Sequence, residues 1–316
     1  MGGCIAAGWL KINKPNLKVV VIEPATLGGA FKNSGLKYLR WDDHLASIVT
    51  QCGVAAVKQP VKGGVLVSAP PDAPVAWDYP GDMDERMVQS LQEEHYSMTR
   101  GTMEGFTYDV MNFGGREQFK MVTTPMLCEA LTADAQVIQS MISRIYPSDG
   151  SCYLKIGGGQ MIEAGMTLWT PHLAFLARMM DETSIQTNAL TLNVMVCEAM
   201  SEWWATHDYV YTSTCAKKVH RISATDPIGS VQAEWNGEGL SEDVLSDLEA
   251  MDLLPRMDTH KPLPGHLLPL SNKDKKTIKG WESHGIRPLG RFAEWDGRAT
   301  VDKNIYKLME VFSETR

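Results

Sequence analysis

Apolar and polar positions along the chain alternate between strand-like and helix-like periods. Leu17-Lys18-Val19-Val20-Val21-Ile22 is a β-branched run that stops at Glu23-Pro24, and a short helical run from Trp9 to Lys14 precedes it. Asp42 or Asp43 caps the next predicted helix. Residues 59–68 read as two short strands around Gly63-Gly64, and 69–84, rich in proline and aspartate, as a surface loop. Helices are expected over 85–100 and 123–146. Residues 153–163 read as a hairpin turning at Gly157-Gly158-Gly159, because β-type residues flank the glycines on both sides.

The second half interleaves the two periods further. Strands are expected at 191–196 and 209–212, and a strand pair at 220–223 and 231–235, with Asn236-Gly237 as a turn. Ser241 caps a helix to residue 251, a proline-rich stretch over 255–269 is extended, and a lysine-rich helix covers 271–284. A loop begins at Gly290, and Thr300 starts a final helix running to Phe312. Strands and helices in alternation imply an α/β or α+β class with a substantial sheet.

Composition narrows this picture. At 316 residues the chain can bury a large core. A net charge of −8 gives the whole surface no attraction for nucleic acid and leaves only local basic patches for that role. The cysteines are scattered without a C-x-x-C pair, which argues against a zinc site and for reduced thiols in a cytoplasmic setting. With the cysteines so scattered no metal is expected, and because no apolar run reaches membrane-spanning length no membrane contact is expected.

The first eight residues, Met1-Gly2-Gly3-Cys4-Ile5-Ala6-Ala7-Gly8, read as a glycine-rich phosphate turn. Turn, helix, strand and acid in that order form the second half of a dinucleotide-binding βαβ unit. Glycines let backbone N–H groups approach a pyrophosphate, and an acid such as Glu23 accepts from an adenosine ribose. With Gly3 as central glycine the spacing is Met1-x-Gly3-x-x-Ala6.

Three segments in order resemble the flavin amine-oxidase and UDP-galactopyranose mutase superfamily. They are the turn through Glu23, then Gly28-Gly29 with Gly35-Leu36-Lys37-Tyr38-Leu39-Arg40, then 285–295 with Gly290-Arg291 and Trp295 ahead of the Thr300-Val301 helix start. Tyr209-Val210-Tyr211-Thr212 resembles the family's return strand. The resemblance implies a Rossmann-like FAD-binding domain, its first strand and turn incomplete, with an inserted α+β substrate domain. That places the cofactor domain at 1–68 and 206–316 and the insertion at 69–205. It implies FAD held by Gly2, Gly3, Ala6, Glu23, Gly28, Gly29, Arg40, Gly290, Arg291, Trp295, Thr300 and Val301. The mutase loop carries histidines where Lys37 and Arg40 stand, which weighs against mutase chemistry.

Oxidation of a C–N bond in an amine asks little of side chains, because the flavin takes the hydride. The catalytic candidates are Lys37, as a partner of the flavin ring, and Tyr38, Tyr211 and His220 on the substrate side. The expected substrate is a small amine or a nucleotide. One version is an amino-acid-modified thymine in phage DNA, trimmed by a flavin-dependent lyase in the host cytoplasm. Lys273, Lys275, Lys276 and Lys279 on one helix, and Lys217, Lys218 and Arg221 elsewhere, are the basic clusters that would meet DNA. The alternatives are a UDP-sugar mutase-like flavoenzyme or a non-catalytic nucleotide-binding module. Assembly into an oligomer is compatible with either.

Overall fold

The computed structural model describes residues 1–28, 38–68, 75–79, 119–122, 126–212, 216–225, 229–237, 239–296 and 299–313. The chain divides into two compact units. One comprises Met1–Gln59, Lys120–Asn188 and Leu267–Arg316, and the other Pro60–Phe119 with Ala189–His266. The expected boundaries at 68/69 and 205/206 do not follow this packing: 120–188 packs with the N-terminal helix, and 206–266 with the other unit.

The first unit is mixed α/β, as the sequence predicts. Strand Val20–Ile22 pairs in parallel with Gln136–Ile138, and Thr167–Trp169 pairs in parallel with Ile286–Pro288. Helices Gly2–Asn13, Asp43–Gln51 and Val301–Ser313 share one core, in which Ile5, Leu45, Leu127, Ile305 and Leu308 are fully enclosed. Burying each such side chain contributes about 1.5–3 kcal/mol. Asp42 caps its helix by accepting the Leu45 N–H at 3.0 Å.

Two expectations in this unit are corrected. Gly2-Gly3 do not form a free turn ahead of a helix at Trp9; the helix already begins at Gly2. Its run from Cys4 to Leu10 is buried throughout, and this burial outweighs the low helix propensity of glycine. Ala6 is thus an interior helical residue. Residues 123–146 are not one helix either. Among the described residues of this stretch only Leu127–Leu131 is helical, followed by a turn at Thr132–Ala135 and the strands Gln136–Ile138 and Ile142–Ser148. Pairing of Val137 and Ile138 with Val21 and Ile22 overrides the local helical pattern. The hairpin at Gly157-Gly158-Gly159 forms as predicted, between Ser151–Ile156 and Met161–Ala164. Gly158 and Gly159 there take positive φ angles of 75° and 82°.

The second unit is built on one mixed sheet. Strand Ala189–Ala199 runs antiparallel to Ser230–Asn236, which runs antiparallel to Val219–Ala224, then Tyr209–Tyr211. Tyr209–Tyr211 pairs in parallel with Gly63–Ser68, which pairs with Val75–Tyr79. Part of the expected loop 69–84 is therefore a strand, because Val75-Ala76-Trp77 suits a pleated edge. Helix Glu242–Ala250, capped by Ser241, covers the face where Met195, Trp204, Val210, Ile222 and Trp235 are buried. The predicted helix at 85–100 lies outside the described residues.

Candidate cofactor site

Two parallel strands and two helix starts meet at one place in the first unit. Strands Thr167–Trp169 and Ile286–Pro288 are in register at Trp169 and Pro288, and the Leu289 N–H donates to the Trp169 carbonyl at 2.8 Å. Thr170 and Leu289-Gly290 therefore leave the sheet at the same carboxyl edge, where ligands of open α/β sheets bind. Around that edge stand the starts of the Gly2 and Val301 helices.

The contacts show how tightly these pieces converge. A β-carbon at Gly2 would lie 3.4 Å from Asn304 Nδ2 and 3.7 Å from Thr170 Cγ2. One at Gly3 would lie 3.3 Å from Thr170 Oγ1, and one at Gly290 3.3 Å from Asn304 Nδ2. Asn304 is 3% exposed, so its amide is enclosed between Gly2 and Gly290. Gly290 has φ 97° and ψ 166°, a conformation open essentially to glycine alone. Its N–H donates to Glu294 Oε1 at 2.7 Å, while Lys307 pairs with Glu294 Oε2 at 2.8 Å and donates to the Pro288 carbonyl at 3.0 Å. This network holds the loop in place from both sides.

The two helix starts bring partial positive charge to this edge, and the Asp302 carboxylate in the first turn of the last helix brings a negative charge that calls for a donor. The Gly2 helix has no side-chain cap, and its first internal bond runs from the Ile5 N–H to the Met1 carbonyl. In the Val301 helix an early bond runs from the Asn304 N–H to the Thr300 carbonyl. The N–H groups of each first turn point outward with a partial positive charge. Thr300 Oγ1 and Asp302 Oδ1 are buried without a hydrogen-bond partner in that turn. Buried polar atoms left unpaired cost free energy unless a bound group satisfies them.

The other predicted cofactor residues are placed as follows. Glu23 ends its strand; its N–H donates to Ile138, and its carboxylate accepts the Ala25 N–H at 3.1 Å. Gly28, with φ 92°, is buried close to Cys4 of the Gly2 helix. Arg40 is exposed on strand Tyr38–Arg40, paired with Lys120. Arg291 is exposed, with its guanidinium 5.8 Å from the Phe292 ring centroid. Trp295 is buried in the left-handed region at φ 55°, and its indole N–H donates to the Leu268 carbonyl at 2.9 Å. Thr300 and Val301 begin the last helix. Gly29 and Lys37 lie outside the described residues, and Tyr38 is described only by its backbone.

Tyr211 and His220 belong to the other unit. Tyr211 is half-buried, 5.4 Å from the Tyr209 ring and in register with Arg221. Strict alternation along 219–221 does not hold. His220 is the extra residue of a β-bulge between Val219, opposite Trp235, and Arg221, opposite Glu234, and its ring is buried. Arg221 pairs with the buried Glu234 at 2.7 Å, and Gln232 donates to the same oxygen at 3.1 Å. The lysines 273, 275, 276 and 279 are all exposed on helix Asn272–Gly280.

Sequence reasoning missed Thr170, Asn304, Asp302 and His172. Signals for two of them exist. Thr170 directly follows the strand Thr167–Trp169, and Asn304 interrupts the apolar stripe of Val301, Ile305 and Leu308. His172 caps helix Leu173–Met179 through Nδ1, which accepts the Ala174 N–H at 3.1 Å. Its ring stacks on Phe292 and meets Trp295 edge-on at 4.8 Å. Burial holds its pKa below the usual histidine value.

No protein-family model and no curated protein matches the sequence. Solved structures do. A CLA-producing fatty acid isomerase from P. acnes matches with a TM-score of 0.64 at 11% identity, over 99% of this chain and 96% of that one. Putrescine oxidase bound to putrescine matches with 0.56 at 12% identity, over 99% and 96%. A flavin-dependent halogenase from Brevundimonas matches with 0.56 at 12% identity, over 98% and 70%. The chain has the fold of these enzymes. The resemblance read from the glycine, Glu23 and Gly290-Arg291 segments is thus borne out at the level of the fold. Among the described residues, no helix is long and apolar enough to cross a membrane, and no cluster of His, Cys, Asp and Glu is arranged to hold a metal.

Proposed function

We propose that this chain is an FAD-dependent oxidoreductase that oxidises a C–N bond of an amine. The observation that carries the reading is the convergence of two helix starts, Gly2-Gly3, Thr170 and Gly290 on one strand edge, with Thr300 Oγ1 and Asp302 Oδ1 buried and unpaired beside them. These residues fit FAD. The first-turn N–H groups at Gly2 and Gly3 suit the pyrophosphate, and Glu23 suits the adenosine ribose. The N–H groups and Thr300 hydroxyl at the last helix suit the pyrimidine edge of the flavin, where negative charge develops on reduction. Bound FAD would supply the two-electron acceptor for the amine. The chain's own part is to hold that acceptor, keep water out with the Asn304 and Gly290 packing, and stabilise charge at the helix start. A putrescine oxidase among the structures of the same fold supports an amine substrate.

The finer reading is an amine carried on thymine in phage DNA. The exposed lysines on helix Asn272–Gly280 support it, since they could meet phosphates on an otherwise acidic chain.

Titration of purified apoprotein with FAD tests the cofactor. Binding is expected with flavin absorbance near ~450 nm, bleached by a productive amine. Thr300→Val should weaken binding with an unchanged circular dichroism spectrum. Absence of FAD binding by the folded chain would leave only the non-catalytic module. Bleaching by free amines but not by an oligonucleotide carrying an amino-acid-modified thymine would remove the DNA reading.

A further inference from the structure

Strands Ile142–Ser148, Ser151–Ile156 and Met161–Ala164 form an antiparallel sheet in the first unit. Side chains alternate across it. Ile145, Cys152, Leu154 and Ile156 are buried on one face, where the Cys152 thiol lies 3.1 Å from Thr167 Oγ1. The other face presents Arg144, Tyr146, Tyr153 and Lys155, all exposed. Register sorts these into two rows: Tyr146 stands directly opposite Tyr153, and Arg144 directly opposite Lys155. The tyrosines are 40% and 38% exposed, so much of each side chain meets solvent.

Like charges directly opposite one another destabilise a sheet, and an anion beside them relieves that cost. Asp181 pairs with Arg144 and the guanidinium stands 5.6 Å from the Tyr146 ring centroid, while Lys155 stays exposed beside them. More positive charge is tied to the end of the same sheet. The Gly150 N–H donates to the Ser283 carbonyl at 3.2 Å, and His284 Nδ1 lies 2.8 Å from the Ser148 carbonyl. Ser283 and His284 belong to the turn Trp281–His284 that directly continues helix Asn272–Gly280, on which Lys273, Lys275, Lys276 and Lys279 are exposed. A row of cations and a pair of open aromatic side chains thus belong to one compact unit.

We propose that this sheet face binds single-stranded nucleic acid, with Tyr146 and Tyr153 stacking on bases and Lys155 and the lysine helix meeting phosphates. Base stacking on a side chain needs an open base, and in a duplex the bases cover one another, so the strand is single. Glu163, opposite Tyr153 on the outer strand, repels phosphate and keeps the backbone toward the Arg144–Lys155 row. The inference rests on the DNA version of the function proposed above and deepens it, since chemistry on a base is done with that base out of the stack. It does not depend on FAD.

The test follows the fluorescence anisotropy of a labelled oligothymidylate of about 12 nucleotides with the full chain, free and annealed to its complement. The single strand is expected to bind about 10-fold tighter than the duplex or more, with affinity falling as salt rises. Tyr146→Ala and Tyr153→Ala should each raise Kd about 10-fold, and phenylalanine at either position should restore it, because the ring and not the hydroxyl stacks. Both positions are exposed, so melting temperatures should hold. A duplex bound as tightly as the single strand, or an unchanged Kd in the double alanine variant, would overturn the proposal. So would a dimer that the tyrosine variants dissolve and no oligonucleotide binding, which would make the face a contact between copies. Flavin bleaching by an oligonucleotide carrying an amino-acid-modified thymine, with an unchanged KM in the double alanine variant, would keep the DNA function and overturn only this face.

Discussion

A β-carbon at Gly2 would sit 3.4 Å from the side-chain amide of Asn304, although the two residues belong to helices at opposite ends of the sequence. The two helix starts are held together by contact through Asn304, and a side chain at Gly2 would project into the space they frame. Gly2 opens a regular helix, so Gly2→Ala carries no backbone strain, and its methyl, 3.4 Å from Asn304 Nδ2, should leave stability within about 0.5 kcal/mol of wild type. The same methyl should lower FAD affinity. Thermal melts and FAD titration of one preparation separate the two effects; undiminished affinity would move the pyrophosphate away from this helix.

Gly290→Ala should behave differently. Its φ of 97° is costly for any L side chain, so a loss of about 1–3 kcal/mol is expected. The new methyl also presses on Asn304, which stands 3.3 Å from its position. Denaturant unfolding would show the loss of stability, and FAD binding should fall with it.

Glu23→Ala tests the ribose contact. The Glu23 carboxylate has one near-exposed bond, to the Ala25 N–H, so removing it should scarcely change the melting temperature. FAD binding should weaken by about 1–3 kcal/mol, the value of one or two hydrogen bonds to a charged group. Equal affinity in a folded variant would assign the ribose elsewhere.

His172 gives the chain a pH dependence with a definite sign. Nδ1 can accept the Ala174 N–H only while it is unprotonated, and burial lowers the folded-state pKa. As pH falls, the unfolded chain takes the proton first, near about 6.5. The stabilisation is therefore present above about pH 6.5 and lost as pH falls through the lower folded value. His172→Asn keeps a capping acceptor and cannot titrate. Urea midpoints between about pH 7 and 5 should fall in the wild type and fall less in the variant. Parallel curves would show that His172 does not govern this window.

What was legible in the sequence is what short-range chemistry decides. Gly157-Gly158-Gly159 turns a hairpin because Gly158 and Gly159 take positive φ, and Ser241 caps its helix by accepting the Val244 N–H at 3.4 Å. The helix start at Gly2 was hidden, because burial of Cys4 to Leu10 by distant segments decides it. Strand Gln136–Ile138 was hidden for the same reason, since its partner lies more than a hundred residues earlier. Gly290 could be read from its own motif. Thr170 and Asn304 gain their meaning only from the meeting of three remote segments.

The last prediction concerns Asp247, which is 6% exposed on helix Glu242–Ala250. Its carboxylate accepts three consecutive backbone N–H groups, from Lys217 at 2.9 Å, Lys218 at 2.7 Å and Val219 at 3.0 Å. A backbone turn pointing three donors into one place leaves them unpaired without an acceptor, and the β-bulge at His220 follows directly. Asp247→Ala removes every acceptor at once and should cost about 3 kcal/mol or more, since hydrogen bonds to a charged group contribute about 1.5–3 kcal/mol each. Asp247→Asn keeps one carbonyl oxygen but turns an NH2 group toward N–H donors, so it should recover only part of the loss. Amide exchange at 217–219 should quicken in both variants, because the carboxylate and not the helix packing holds those N–H groups. Urea midpoints within about 0.5 kcal/mol of wild type, with unchanged exchange at 217–219, would show that the turn holds its shape without the carboxylate.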